Sequence, residues 1–358
     1  MDIERRIGTF IKLGYFLRQF ASGNEPETSE DWLAGLNNKF MAPAKEAISE
    51  AALYNPWFTE ENIKLAFSGI GKMLMPEKVE KWAANYYSGI NLPSKRKVGV
   101  VMAGNVPVVG FHDMFCVLMS GHSFYGKLSS KDEKLIPLLA DVISDTEPGI
   151  EKEIHLENRL LKDFDAVIAT GSNNSSRYFD YYFGKYPHII RKNRNSAAVL
   201  NGSETSGELK GLADDVFRYF GLGCRNVSKL FLPVDYDLSI LEYAFSGYSQ
   251  LTYHSKWDNN YRYRKTIFLM NSIPHFDTGF VLICENEPLA SPVAVIHYEH
   301  VENEETAWKK IEGQEENIQC VASSEQERFS SVPFGKTQEP ELWDYADNTD
   351  TMEFLLNL

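Results

Sequence analysis

Up to Pro93 the apolar positions recur at the three- and four-residue spacing of helices that bury one face. Thr59 reads as an N-cap, with Glu60 and Glu61 in the first turn where the helix dipole favours acids. Pro76-Glu77 opens a further helix carrying Val79, Trp82, Ala83 and Tyr86 on one side. After Pro93 the pattern changes to short apolar runs separated by helix-like segments. Strands are expected at Val98–Met102, Ser123–Leu128, Asp165–Ala169 and Ala197–Leu200, and helices at about 111–120, 131–144, from 175, and 209–220. Apolar runs without strict alternation, joined by crossover helices, are the signature of a parallel sheet covered on both faces. Past Cys224 further strands are expected at Leu230–Val234, Thr266–Met270, Phe280–Cys284, Val293–Tyr298 and Ile318–Ala322. Helices are expected over 238–246 and near 305–311. The tail from Ser323, rich in Glu, Ser and Pro, reads as a surface extension or an oligomer arm.

This pattern gives an α/β protein with a doubly wound parallel-sheet domain and a second, smaller α/β domain. With 358 residues, more than one core is expected. The expected division is 1–195 for a helical segment plus a nucleotide-binding domain, 196–300 for a catalytic domain, and 301–358 for a C-terminal segment that either packs back or oligomerises. A formal net charge of -14 repels phosphate backbones and anionic lipid, which argues against nucleic-acid and membrane-surface roles. No run approaches the roughly 18 apolar residues of a membrane span. Four widely spaced cysteines without C-x-x-C pairing or Cys/His ligand spacing point away from a metal site and towards a reducing, cytoplasmic compartment.

Neither G-x-G-x-x-G nor a P-loop is present. Ala103-Gly104-Asn105-Val106-Pro107 instead follows a strand and precedes a helix, the place where open α/β sheets bind ligands. The residues alone are equally compatible with a tight turn. Thr170-Gly171-Ser172-Asn173-Asn174 has the same setting and reads either as a phosphate-holding helix start or as an N-capped loop. Cys116 and Cys284 lie inside apolar runs and read as core, whereas Cys224 lies in the polar loop Gly221-Leu222-Gly223-Cys224-Arg225-Asn226 and is the reactive candidate.

The order of these sites, with the stretches G-N-V-P-V-V-G-F-H-D (104–113), K-L-S-S-K-D (127–132), T-G-S-N-N (170–174) and F-G-L-G-C-R-N (220–226), resembles the aldehyde dehydrogenase superfamily. More narrowly it looks like the fatty acyl-CoA reductases of the LuxC type. The resemblance spans about residues 97–300. It implies an aldehyde-dehydrogenase-like fold with Cys224 as nucleophile in a cleft between the domains and Asn105 as an oxyanion-hole donor. It also implies Lys127 at the adenosine ribose, Gly171 and Ser172 at the nicotinamide-side phosphate, and Glu287 at the nicotinamide ribose, in a register left uncertain by the nearby Glu285.

Two departures carry information. The position at which NAD-preferring relatives hold an acid is Ser130, followed by Lys131. Losing a carboxylate and gaining a cation favours a 2′-phosphate, hence NADPH over NADH. The stretch Ile190-Arg191-Lys192-Asn193-Arg194-Asn195 stands where aldehyde oxidisers carry a water-activating glutamate, and it contains no acid. An acyl-enzyme lacking that base would exchange with a thiol such as coenzyme A, and the cations of the stretch could attract the phosphates of an acyl carrier. The expected activity is therefore reduction of a fatty acyl thioester to an aldehyde through acyl-Cys224 and NADPH, with Arg225 as a candidate cation near the thiolate. An acyl-CoA or other thioester substrate, a homo-oligomer and an acyl-activating partner go with the resemblance. The alternatives are a cysteine acyltransferase or thioesterase of the same fold, or an inactive acyl-binding partner in a multienzyme complex. His112 and His122 read as surface or boundary residues, while His254 and His297 are open as proton shuttles.

Overall fold

A computed structural model describes residues 2–21, 30–86, 94–159, 161–171 and 173–358. The chain forms two compact units, 1–192 with 340–358, and 193–339. The expected division differs in its treatment of 301–339, which belong with the second unit, while the last stretch, 340–358, packs back on the first.

The first unit opens with α1 (Ile3–Arg18), α2 (Asp31–Tyr54), α3 (Glu60–Met73) and α4 (Pro76–Ala84). The Thr59 hydroxyl accepts from the Asn62 N–H, and Pro76 occupies the first turn of α4, where its missing N–H costs nothing. Phe10, Phe67 and Trp82 are fully buried, so the aromatic residues of this segment are core. The α/β part follows as β1 (Lys97–Val101), α5 (Phe111–Ser120), β2 (Ser123–Lys127), α6 (Leu135–Thr146), β3 (Ile154–Glu157), β4 (Ala166–Thr170), α7 (Asn173–Phe183) and β5 (His188–Arg191). Its strands are all parallel, in the order β3-β2-β1-β4-β5. The order reverses between β1 and β4, and that switch point opens the crevice in which such sheets take ligands.

The second unit contains β6 (Asn195–Val199), α8 (Ser206–Phe217), β7 (Val227–Pro233), α9 (Ser239–Phe245), α10 (Ser255–Met270), β8 (Phe276–Asp277), β9 (Leu282–Glu285), β10 (Val295–Val301), α11 (Glu304–Glu312), β11 (Ile318–Ala322) and β12 (Ser331–Val332). Its sheet runs β12-β11-β6-β7-β10-β9-β8, parallel except for the β8–β9 pair. Trp308 and Ile311 of α11 pack on Ala197, Phe231 and Val321 to form the core on one face. A capping box starts α8, with Thr205 and Glu208 satisfying each other's backbone amides. Residues 266–270 are the last turn of α10 and not a strand. Trp257, Tyr261 and Phe268 line the buried side of that helix, and a five-residue apolar run cannot by itself reveal this.

The tail is folded, not an arm. Residues 340–358, ending in α12 (Thr351–Leu356), bury Leu342, Met352 and Leu355 in the first unit. His122 accepts from the Arg96 N–H at Nδ1 (3.1 Å), which leaves Nε2 to donate to the Leu355 carbonyl (2.9 Å). His112 Nε2 bonds the Leu342 carbonyl at 3.0 Å. Both histidines are thus ties for the returning segment, and burial lowers the pKa of each.

Candidate functional site

The first unit gathers five of the expected positions, Asn105, Lys127, Ser130, Lys131 and Gly171, at the carboxyl ends of β1, β2 and β4. Asn105 lies four residues past β1, on an exposed turn. The turn is held from three sides. Asn55, capping α2, donates from Nδ2 to the Gly104 carbonyl (3.2 Å). Gly104 has no room for a side chain, because a Cβ there would come within 2.3 Å of Ser129 Oγ and 2.9 Å of Lys131 Cβ. Val108, a β-branched residue at φ 51, is held in the left-handed region where its N–H donates to Asp132 Oδ2 (2.9 Å). The Asp132 carboxyl also accepts from the Leu135 N–H at the start of α6 (3.3 Å). Burial pushes its pKa up to about 6 against the pull of those two amides. The Asn105 turn and the 129–132 loop are therefore packed as one block.

Lys127 is the last residue of β2 and half-buried, while Ser130 and Lys131 are exposed in the loop that follows. Gly171 follows β4, but its N–H is taken by the Arg191 carbonyl (3.4 Å) and is committed to the sheet ladder. Ser172 lies outside the described residues.

In the second unit, Cys116-type burial and Cys224 exposure separate cleanly by environment: Cys284 and Cys320 are buried here and Cys116 in the first unit, while Cys224 is exposed. Cys224 sits between a tight turn and β7. Tyr219, Phe220 and Gly221 have φ of 53, 57 and 66, three successive left-handed residues of which only the last is a glycine. Each non-glycine residue there costs roughly 1–2 kcal/mol, so something must hold the turn. Asn226 does. Its side chain accepts from the Gly223 N–H (2.8 Å) and donates to the carbonyls of Arg218 (2.8 Å), Asp215 (3.0 Å) and Val216 (3.4 Å). Ser196, at the start of β6, donates to the Cys224 carbonyl (3.0 Å) and accepts from the Cys320 N–H (3.2 Å).

Arg225 donates from Nε to the Thr337 carbonyl (2.5 Å), and Asp215 accepts from the N–H groups of Gly335 (2.6 Å) and Thr337 (3.0 Å). Burial raises the Asp215 carboxyl to about 6 against these bonds. Asn226, Ser196 and Asp215 carry no role in the sequence reading. Asn226 closes the very stretch that holds Cys224, and a polar residue entering an apolar strand was the available signal.

Glu287 lies exposed between β9 and β10. His254 caps α10, accepting from the Trp257 N–H (3.4 Å), and its ring lies 4.4 Å from that of Phe220. The cations of 190–195 are largely committed to structure. Arg191 is buried in the first unit against Asp113 (2.6 and 2.7 Å) and Thr351 (2.8 Å). Arg194, in the second unit, holds the carbonyls of Glu315 (3.1 Å) and Ile318 (3.0 Å). Lys192 is the exposed cation of that stretch, so a phosphate-attracting run is not what these residues form. Among the described residues no helix is long and apolar enough to cross a membrane, and no group of three His, Cys, Asp or Glu side chains is placed to hold a metal ion.

No family model and no curated protein matches the sequence. The fold does match solved structures. It is similar to aldehyde dehydrogenase 21 from Physcomitrella patens, in complex with the reaction product succinate, with a TM-score of 0.64 at 10% identity over 100% of this chain and 84% of that one. An NAD+ complex of an aldehyde dehydrogenase from Bacillus cereus gives 0.59 at 10% identity, covering 91% and 72%. A mutant aldehyde dehydrogenase C from Pseudomonas syringae with NAD+ and octanal gives 0.59 at 11%, covering 91% and 77%. The chain has the aldehyde dehydrogenase fold, with two α/β units each built on a mostly parallel sheet.

Proposed function

We propose that this protein reduces an acyl thioester, such as a fatty acyl-CoA, to the aldehyde through an acyl-Cys224 intermediate with NADPH as reductant, as the LuxC-type reductases do. The observation that carries the reading is the Cys224 loop: an exposed thiol whose backbone is clamped by Asn226 and Ser196. A structural cysteine has no need of such a clamp, whereas a nucleophile must meet its target within a fraction of an ångström.

The residues fit a dinucleotide. The β1/β4 switch point is the place for it, and the close packing of Gly104 on Ser129 and Lys131 shapes the β1 and β2 ends as one wall. Lys127 would hold the adenosine ribose, Ser130 and Lys131 the 2′-phosphate, and Glu287 the nicotinamide ribose. The cofactor, when bound, supplies the hydride.

The chain's own part begins with the Cys224 thiolate attacking the thioester carbonyl. The carbon–sulfur bond to coenzyme A breaks, the departing thiolate takes up a proton, and an acyl thioester on Cys224 remains. By the resemblance Asn105 would be the oxyanion-hole donor, a role worth about 10² to 10³ in rate. Arg225, the next residue in the chain, is the candidate cation for the thiolate. Without a carboxylate in 190–195 to activate water, the acyl-enzyme survives long enough to be reduced.

Intact-protein mass spectrometry after incubation with tetradecanoyl-CoA tests this. An acyl adduct on wild type but not on Cys224→Ala, cleared by NADPH with aldehyde released, is the expected result. An adduct that NADPH leaves in place would point to the acyltransferase alternative. No adduct at any chain length would overturn Cys224 as nucleophile.

A further inference from the structure

β7, β10 and β9 carry three polar or ionisable residues in one row. Lys229 pairs in register with His297, and His297 with Cys284. Residues in register across parallel strands share a face of the sheet, so these side chains project together. Lys229 is 0% exposed and His297 5%. An ammonium in that position is costly to desolvate, and a Met of similar length would pack there without that cost.

What the two residues contact explains their presence. Lys229 Nζ donates to the Asn286 carbonyl and pairs with Glu299 Oε2 at 3.1 Å. Glu299 is shared with Lys310 of α11. His297 bonds the Pro288 carbonyl at 2.9 Å through Nδ1 and the Asn286 side-chain amide at 3.3 Å through Nε2. A carbonyl only accepts, so Nδ1 carries the proton and Nε2 accepts from the amide. The Asn286 N–H in turn donates to the Tyr298 carbonyl at 3.0 Å. The residues on either side of Glu287 are therefore both pinned from the sheet beneath, while Glu287 itself is exposed.

We infer that Lys229 and His297 are positioning residues for Glu287, fixing the β9–β10 loop so that its carboxylate is presented to the nicotinamide ribose. This rests on the cofactor reading given above. The row also links cofactor affinity to pH. Burial pulls the Lys229 pKa down to about 8, with Lys310 adding to the effect and Glu287, Cys284 and Glu285 opposing it. The groups facing the amine are Glu299 and His297 on β10, Lys310 on α11, Cys284 and Glu285 on β9, and Glu287 on the loop. Burial keeps His297 neutral at pH 7, its pKa lying below the usual 6.5, and lifts Cys284 to about 11. Lys229 is thus the group of this row that changes charge between pH 7 and 9, and when it does Glu299 loses a partner.

The test is NADPH affinity, read by quenching of protein fluorescence, for wild type, Lys229→Met, His297→Gln, Glu287→Gln and the double variant Lys229→Met/Glu287→Gln. Loss of one charge-assisted contact predicts a roughly ten-fold weaker Kd for each single variant. The double variant is expected to bind no worse than the weaker single, because both changes disable the same carboxylate. From pH 7 to 9 the wild-type Kd rises while that of Lys229→Met stays flat. Acyl-adduct formation with tetradecanoyl-CoA, a step that needs no cofactor, controls for global damage. If Lys229→Met fails to fold, His297→Gln carries the comparison. Single variants that bind NADPH as wild type does, or an additive double variant, would overturn the inference and leave the cofactor reading standing. A wild type that binds neither NADPH nor NADH would overturn both.

Discussion

Replacing Asn226 by Ala removes one side chain and four hydrogen bonds at once. The residue is 2% exposed, so water cannot substitute for them. The Gly223 amide and the carbonyls of Arg218, Asp215 and Val216 lose their partner together. The two N–H donors of one amide serve three carbonyls, so the losses do not add in full, and about 3–5 kcal/mol is the reasonable sum. The left-handed turn at Tyr219 and Phe220 then relaxes, because the side-chain bridge from the Arg218 carbonyl to the Gly223 N–H is gone.

In a unit of this size that loss lowers Tm by about 10 °C, readable by circular dichroism. The rate of acyl-adduct formation at Cys224 is expected to fall roughly 10²-fold, since the nucleophile is no longer held to a narrow geometry. Iodoacetamide, which needs only an exposed thiol, should react nearly as before. Asn226→Asp supplies a second reading. Its carboxylate would face three carbonyl oxygens, so its folded pKa lies above the unfolded value. Its contribution to stability is therefore complete below about pH 4 and lost as the pH rises through that raised value. The aspartate variant should melt below the alanine variant at pH 7 and recover at pH 5. An Asn226→Ala protein that melts with wild type and acylates at the same rate would refute the clamp.

Gly104→Ala forces its Cβ onto Ser129 and Lys131 and should weaken NADPH binding more than it lowers Tm, as fluorescence titration and thermal melts together will show. Asp132, with a folded pKa of about 6 against an ordinary 3.8, stabilises most below pH 4 and loses that contribution as the pH rises through 6. The Tm of Asp132→Asn relative to wild type should accordingly improve from pH 5 to pH 7. Asp113→Asn breaks a buried ion pair and should cost about 3–5 kcal/mol in urea unfolding, whereas Asp113→Leu with Arg191→Met should recover most of it.

What the sequence disclosed and what it hid divide along a physical line. The β1–α5–β2 run was legible because Val98, Val100 and the apolar face of α5 sit close in sequence and are buried by their neighbours. The turn at Asn105 and the exposure of Cys224 were legible because Gly, Asn and Pro mark loops locally. The run 266–270 misled because the helix it ends is tied to residues beyond the window in which periodicity is read; Trp257, in the same helix, donates to the Phe280 carbonyl at 2.9 Å. Lys229 was invisible as a buried cation because its reasons for burial, Asn286 and Glu299, lie some 60 to 70 residues on in the chain. The tail read as polar by composition, yet its few apolar residues, Leu342, Met352 and Leu355, are the ones that dock.

That docking sets an order for synthesis. The first unit is discontinuous in the chain, its two parts separated by the whole of residues 193–339. As the polypeptide leaves the ribosome, Arg191 and His122 emerge long before Thr351 and Leu355, and must wait with a guanidinium half-paired and a ring donor unfilled. The inserted unit, contiguous in sequence, can close while the first still lacks its final piece. Chaperones would thus meet a nascent chain whose earlier half is the later to mature.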